Sequence, residues 1–263
     1  MPRHPDRRGL LRTVAAATVA GHLTACGART TPPDPDRPRV GPAPAAARSV
    51  PRPVPAPAPR TFPGQPVQIE HGRTDSSEVA LTFHGNGDPA TARSVLAEAE
   101  RAGARVSVLA VGSWLDEYPE LARRILDGGH ELGNHTQRHL DVCTMPEAEA
   151  YEEIDACAKR LRRLTGSIGS WFRPSRARRA TPLVERLAAR VGYPHVLAYD
   201  VDSRDFTSPG APAVVRNVMG EIRPGSVVSL HFGYADTVDA LPALLEELAR
   251  RRLRAVTTTE LLT

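Results

Sequence analysis

The chain has 263 residues, 41% of them hydrophobic and 5% aromatic, which allows one or two domains with a sizeable core and excludes both a polytopic membrane protein and a fully disordered chain. Its formal charge of +4 is unevenly spread: residues 1–60 hold ten Arg against three Asp, so residues 61–263 hold 24 basic against 27 acidic groups. A mildly acidic folded part excludes a nucleic-acid footprint, which needs a basic face.

The chain opens with a basic stretch, Arg3 to Arg12, and a weakly apolar run from Thr13 to Ala25. That run is shorter than the ~20 apolar residues a spanning helix needs. Arg7-Arg8-Gly9-Leu10-Leu11-Arg12 resembles a twin-arginine export motif. Leu23-Thr24-Ala25-Cys26 resembles the bacterial lipobox, in which the Cys is lipidated and becomes the new N-terminus. Residues 1–26 are therefore expected to be a lipoprotein signal peptide, with acyl chains on Cys26 holding an exported protein to the outer face of the cell membrane or within the cell wall. Residues 27–66 read as a linker, because 13 prolines fall in the 35 residues from Pro32 to Pro66. Proline at that density bars a helix or an inner strand and favours an extended polyproline-like spacer. With Cys26 lipidated, Cys143 and Cys157 remain as an even pair in an oxidising compartment, and a disulfide between them is expected.

From Val67 to the end, short apolar runs alternate with helical periods. The strands expected are Glu78–His84, Arg105–Val111, His130–Gly133, Gly169–Arg173, His195–Asp200, Val227–His231 and Arg254–Thr258. The helices expected are Ala90–Ala102, Pro119–Asp127, Pro146–Leu164, Pro182–Val191, Ala213–Ile222 and Val238–Arg251, several with Pro in the first turn, where its missing N–H costs nothing. This alternation predicts a parallel α/β fold, as an open sheet or a barrel. Polar residues gather where the strands end: His84, His135, Arg173, Asp200, Asp202 and His231. In an α/β barrel those ends share one face, where chemistry sits. His135 and His139, four residues apart, would share one face of a helical turn and can bind one metal.

The run Gly129-His130-Glu131-Leu132-Gly133-Asn134-His135-Thr136-Gln137-Arg138-His139 resembles the second motif of the polysaccharide deacetylase family, the NodB-type or carbohydrate esterase family 4 domain. Phe172-Arg173-Pro174 stands for its third motif, Asp202-Ser203-Arg204-Asp205-Phe206 for its fourth, with Phe where the family usually has Trp, and Ser229-Leu230-His231 for its fifth. The resemblance covers about Glu78 to Leu262. It implies a distorted (β/α) barrel over residues 67–263, a divalent metal, commonly zinc, and hydrolytic removal of N- or O-acetyl groups from an acetylated cell-envelope polysaccharide. Carried over, His135 and His139 are metal ligands, His231 is the general acid, Asp202 orients His231, and Arg173 pairs with the base.

The first motif departs. The family has Thr-Phe-Asp-Asp-Gly, with a base followed by a metal ligand, whereas this chain reads Thr82-Phe83-His84-Gly85-Asn86-Gly87-Asp88-Pro89. Gly85 has no side chain to give. Either Asp88 bends back to the metal and His84 acts as base, or His84 ligates and Asp88 is the base; the first is preferred. In the third motif Ser175-Arg176-Ala177 follow Pro174 where the family has a Pro, an aromatic and Gly. The alternative to a rewired hydrolase is a degenerate domain that binds glycan or a protein partner. Trp114 and Trp171 read as packing residues, His130 and His195 as structural, the arginine pairs at 123–124, 162–163 and 250–252 as solvated helix faces, and Tyr234 as a residue that lines a groove or merely lies on the surface.

Overall fold

The structure, a computed structural model, describes residues 56–263. The expected signal peptide with Cys26, and the linker up to residue 55, lie outside the described residues. In chain order the strands are β1 (Gln68–Ile69), β2 (Glu78–Gly85), β3 (Ser107–Ala110), β4 (Glu131–Asn134), β5 (Val196–Leu197), β6 (Val201–Asp202), β7 (Val227–His231) and β8 (Arg254–Val256). The helices are α1 (Pro89–Arg101), α2 (Gly112–Glu117), α3 (Glu120–Asp127), α4 (Glu147–Thr165), α5 (Pro182–Val191), α6 (Ala211–Glu221), α7 (Ala235–Arg250) and α8 (Thr258–Leu261).

Every ladder is parallel. The order is β4-β3-β2-β7-β6, with β8 on the first half of β2 and β3 on its second half. Beyond β4 single bridges continue the path, from Asn134 to Phe172 and from Phe172 to Val196 on β5, which pairs with β1. The expected strand Gly169–Arg173 is thus reduced to one bridging residue. The path is the distorted barrel that the resemblance implied, with no continuous ladder closing it.

Strand periodicity of two assigns the faces. On β2, Val79, Leu81 and Phe83 point outward and join the core beneath the helices, with Val108 and Ala110 of β3 and Val228 and Leu230 of β7. The alternate residues line the inside: Ala80, Leu109, Val227 and Val256 fill the lower part with Phe62, Trp171 and Leu197. Polar residues crown the same interior columns, Thr82 and His84 on β2 and Ser229 and His231 on β7, and the register sets His84 directly beside His231. Burying a column of aliphatics below a column of polar groups places the chemistry at the carboxyl ends of the strands.

Local sequence explains the helix starts. Asp88 caps α1, its Oδ1 accepting from the Ala90 N–H at 2.8 Å, with Pro89 in the first turn. Thr181 caps α5 in the same way ahead of Pro182. At the opposite, amino end of the barrel the last residues of the proline-rich stretch pack on the domain. Phe62 is buried and stacks on Trp171 with ring centroids 5.4 Å apart. The Phe62 N–H donates to His195 Nε2 (3.0 Å), Ser167 Oγ donates to the Pro57 carbonyl (2.8 Å), and the Ala56 N–H donates to the Thr165 carbonyl (3.3 Å).

The expected disulfide does not form: Cys143 and Cys157 are both free. Cys157 lies on the face of α4 that enters the main core, its thiol against the Ala110 carbonyl at 3.5 Å. Cys143 sits in the loop before α4, with its thiol against the Arg179 carbonyl. The two side chains are committed to different clusters.

Candidate active site

Four imidazoles and one guanidinium meet at the crown of the barrel. The His84 ring lies 4.3 Å from the His135 ring and 4.3 Å from the His231 ring, and the His135 and His139 rings are 5.0 Å apart. His84, His135 and His139 each offer one ring nitrogen, and the three lie within 4.8 Å of one another. His84 and His135 are buried, and His139 is half-buried.

The pair His135 and His139 does not sit on a helical turn. It lies in the loop after β4, where Thr136 and His139 adopt left-handed backbone with φ of 67° and 57°. Buried bonds hold this loop. The Thr136 N–H donates to Asn134 Oδ1 (2.9 Å), Thr136 Oγ1 donates to Ser175 Oγ (2.9 Å), and the Gln137 and Arg138 N–H groups donate to the Glu153 carbonyl and Glu153 Oε2 on α4 (2.9 and 2.8 Å). Strained backbone held by such bonds is typical of a functional loop.

His135 is prepared for a metal. Its Nδ1 faces the Arg173 carbonyl at 3.0 Å, which only accepts, so Nδ1 carries the hydrogen and Nε2 keeps its lone pair. That Nε2 is buried with no partner among the described residues. Burial, followed by the neighbouring His139, holds His135 well below the ordinary histidine range, so it is neutral. Burial also lowers His139, with Arg176 nearby adding to it. Three neutral imidazoles, one with an orphaned lone pair, fit a divalent metal of the zinc type.

His84 is the third nitrogen, and Asp88 is not part of the cluster. Asp88 is exposed and committed as the cap of α1. The preferred assignment of the metal ligand to Asp88 is therefore corrected: β2 stays regular through Gly85, so its inward residue is His84. Gly85 points away, and a Cβ there would meet Val108 Cγ1 at 2.9 Å and the Ala110 Cα at 3.0 Å.

Arg173 is fully buried and paired with His84, as the pairing of this arginine with the base position implied. Its Nη1 donates to Thr82 Oγ1 (2.8 Å) and lies 3.2 Å from His84 Nε2; Nε and Nη2 donate to the Leu197 and Ala198 carbonyls (3.2 and 2.9 Å). A guanidinium only donates, so His84 Nε2 accepts and its hydrogen sits on Nδ1. Burial, then the neighbouring histidines and Arg173, hold His84 well below its ordinary range, which makes it a weak base. A metal that takes His84 competes with Arg173 for the ring. Burial brings Arg173 itself down to about 10.

The residue that orients His231 is Asp205, not Asp202. Asp205 Oδ1 accepts from His231 Nδ1 at 2.7 Å, and Oδ2 accepts from the His231 N–H (2.8 Å) and Thr237 Oγ1 (2.6 Å). Burial pushes the Asp205 carboxyl up, but the bonds from His231 and Thr237 outweigh it and leave it below its ordinary value. Among the described residues Asp202 accepts only the Arg204 N–H (3.0 Å), in a local turn. Two aromatics flank His231: Phe206, 46% exposed, at 5.5 Å, and Tyr234 at 5.9 Å between ring centroids. Trp114 and Trp171 are buried packing residues. His130 accepts the Val106 N–H, and His195 bonds the Phe62 N–H and the Pro66 carbonyl, both structural as read from the sequence.

A parallel α/β barrel crowned by a metal-capable histidine cluster beside a carboxylate-backed histidine defines a hydrolase-type scaffold. The profile of the polysaccharide deacetylase family matches residues 71–196. The chain is 31% identical over 196 residues to a chitooligosaccharide deacetylase of Bradyrhizobium sp. (strain ANU 289), covering 66% of this chain and 85% of that protein. It is also 31% identical over 188 residues to a peptidoglycan-N-acetylglucosamine deacetylase of Bacillus cereus, covering 70% and 87%. This chain belongs to the polysaccharide deacetylase family. A wild-type CE4 family pseudoenzyme from Bacillus anthracis shares the fold, with a TM-score of 0.71 at 23% identity over 76% of this chain and 70% of that one.

Proposed function

We propose that this domain is a metal-dependent hydrolase that removes acetyl groups from a cell-envelope polysaccharide. One observation carries the reading: three imidazole nitrogens lie within 4.8 Å of one another, directly beside the His231–Asp205 pair. His135 and His139 would hold a divalent ion, zinc by donor chemistry, with His84 as the third nitrogen in competition with Arg173. When bound, such an ion supplies Lewis acidity toward the acetyl carbonyl.

The protein's own groups handle the proton. The His231 Nδ1–H is fixed on Asp205, so Nε2 is the free nitrogen of that ring. His84, with its lone pair on Arg173, is a poor acceptor, and Asp88 faces away from the cluster. His231 therefore takes the proton of the attacking water and returns it to the leaving amine or alcohol, and buried Asp205 stabilises the imidazolium in between. Phe206 and Tyr234 beside His231 offer faces for a sugar ring.

The family relatives named above support this reading through the activities in their names. The test is acetate release from acetylated peptidoglycan and chitin oligosaccharides by the zinc-loaded protein. We expect release that is abolished by a chelator and by His135→Ala. Stoichiometric zinc with no acetate from any acetylated glycan would overturn it. The absence of both first-motif carboxylates favours a second reading, glycan binding without cleavage, and that same result together with glycan binding would establish it.

Export and lipidation at Cys26, with the domain on the outer face of the membrane or in the wall, remain part of the proposal. Among the described residues no helix is long and apolar enough to cross a membrane.

A further inference from the structure

The loop after Phe172 departs from the family pattern at the mouth of the site. Arg176 there is exposed, and its backbone is left-handed, with φ of 58°. That conformation suits glycine and disfavours a side chain; the resembling family has its aromatic at this place and its Gly one residue later, at Ala177. An arginine is thus held at a position whose backbone favours its removal.

The arginine is also placed on the reaction centre. Arg176 Nε donates to the His139 carbonyl at 2.9 Å. Among the described residues it has no carboxylate partner, whereas Arg124, Arg138 and Arg179 lie in ion pairs with Glu100, Glu153 and Glu70. On the same loop Arg178 is equally without a carboxylate. Its Nε donates to the Tyr199 carbonyl (3.0 Å), and its guanidinium lies 5.3 Å from the centre of the Tyr199 ring, which Arg173 approaches at 5.3 Å as well. Asp202 accepts the Arg204 N–H and Asp141 accepts the Cys143 N–H, and neither is in an ion pair with Arg176 or Arg178 among the described residues. The rim therefore offers two guanidinium groups that have no carboxylate partner among the described residues.

We propose that Arg176 is a specificity-determining residue that binds an anionic oxygen group, carboxylate or phosphate, borne by the glycan next to the acetylated sugar. The substrate is thus an acidic polysaccharide rather than a neutral one. A guanidinium fork matches both oxyanions through paired N–H···O bonds. The proposal rests on the deacetylase reading for the word substrate, but its binding part stands without it.

The test uses the zinc-loaded full-length protein and three sets of N-acetylated oligosaccharides: neutral, with a carboxylated neighbouring sugar, and with a phosphorylated one. Calorimetry gives Kd, and acetate release gives kcat/KM. We expect one anionic set to bind about tenfold tighter than the neutral set at low salt, the preference shrinking as salt rises. Arg176→Gly brings the ratio of anionic to neutral Kd to near one, and Arg176→Lys keeps part of it. The melting temperature of Arg176→Gly does not fall, because glycine suits the backbone there; a strut that merely held His139 would lower it. Equal binding of all three sets by the wild type, or an undiminished preference in Arg176→Gly, overturns the proposal. An anionic preference without acetate release supports it and sinks the hydrolase reading, while acetate release without preference does the reverse.

Discussion

Replacing Asp205 by Asn changes one oxygen to an amide with almost no change in size. The wild-type carboxylate is fully buried and accepts three hydrogen bonds, from His231 Nδ1, the His231 N–H and Thr237 Oγ1. Asparagine has one accepting oxygen, so its NH2 must face either the His231 ring or the pair of donors on the other side. If the ring is faced, its tautomer is reversed and Nε2 gains the hydrogen it should be free to take from water. A reversed tautomer in such a pair costs up to about 10⁴-fold in kcat, and loss of acid–base assistance about 10²–10⁴-fold. Loss of one bond to a charged acceptor also destabilises by about 1.5–3 kcal/mol, a fall of several degrees in Tm. The assay is acetate release at saturating substrate beside thermal unfolding, with Asp202→Asn as control. Asp202 accepts one exposed backbone N–H, so Asp202→Asn keeps kcat within about threefold. If Asp205→Asn retains wild-type kcat, or Asp202→Asn loses as much, the assignment of the pair is wrong.

Metal content separates the ligands: His135→Ala empties the site, while His84→Ala weakens zinc affinity less, because His84 must first give up Arg173; equal losses by competition titration would refute that order. Gly85→Ala drives a Cβ onto Val108 Cγ1 and the Ala110 backbone and is expected to cost about 1–3 kcal/mol in urea unfolding; an unchanged midpoint would show that the strand gives way. Burial holds His84 and His135 well below 6.5 in the folded state. The unfolded chain then binds more protons below that value, so the metal-free protein keeps its full stability above about pH 6.5 and loses it as pH falls, by up to about 1.4 kcal/mol per unit for each group. A melting temperature that stays level on acidification from neutral pH would contradict this. The thiol of Cys157 is buried and pushed up to about 12, so of the two described cysteines half-buried Cys143 alone labels in the native protein, Cys157 reacts only in denaturant, and a reductant leaves the melting temperature unchanged.

The elements that pack were the ones the sequence exposed. The alternation in Glu78–Gly85 and Val227–His231 and the capped, proline-led starts of α1 and α5 are local signals, and they appear with shifts of a few residues. The short pieces α2, β1, β6 and α8 were missed because two to six residues carry no readable period. At the site the errors share a cause. Choosing between Asp202 and Asp205 depends on the 3₁₀ turn Asp205–Thr207 and on the left-handed Arg204 before it, with φ of 54°, which no motif spacing encodes. Choosing between His84 and Asp88 turned on where β2 ends; the Asp88-Pro89 step was itself a helix-start signal and argued for a cap. The expected helical turn at His135–His139 gave way to a loop because its polar backbone groups are satisfied by Glu153, 14 residues beyond His139 in the chain. The disulfide failed because spacing cannot tell which face of α4 turns to the core.

The way the chain enters at Ala56 has a mechanical consequence. Phe62 and its neighbours fasten the incoming strand to the floor of the barrel, at the end remote from the histidines. A load drawn through the preceding residues would be spent first on the Phe62–Trp171 stack and the bonds at Thr165 and Ser167. The histidine cluster shares none of these contacts and would take up load only after they had given way.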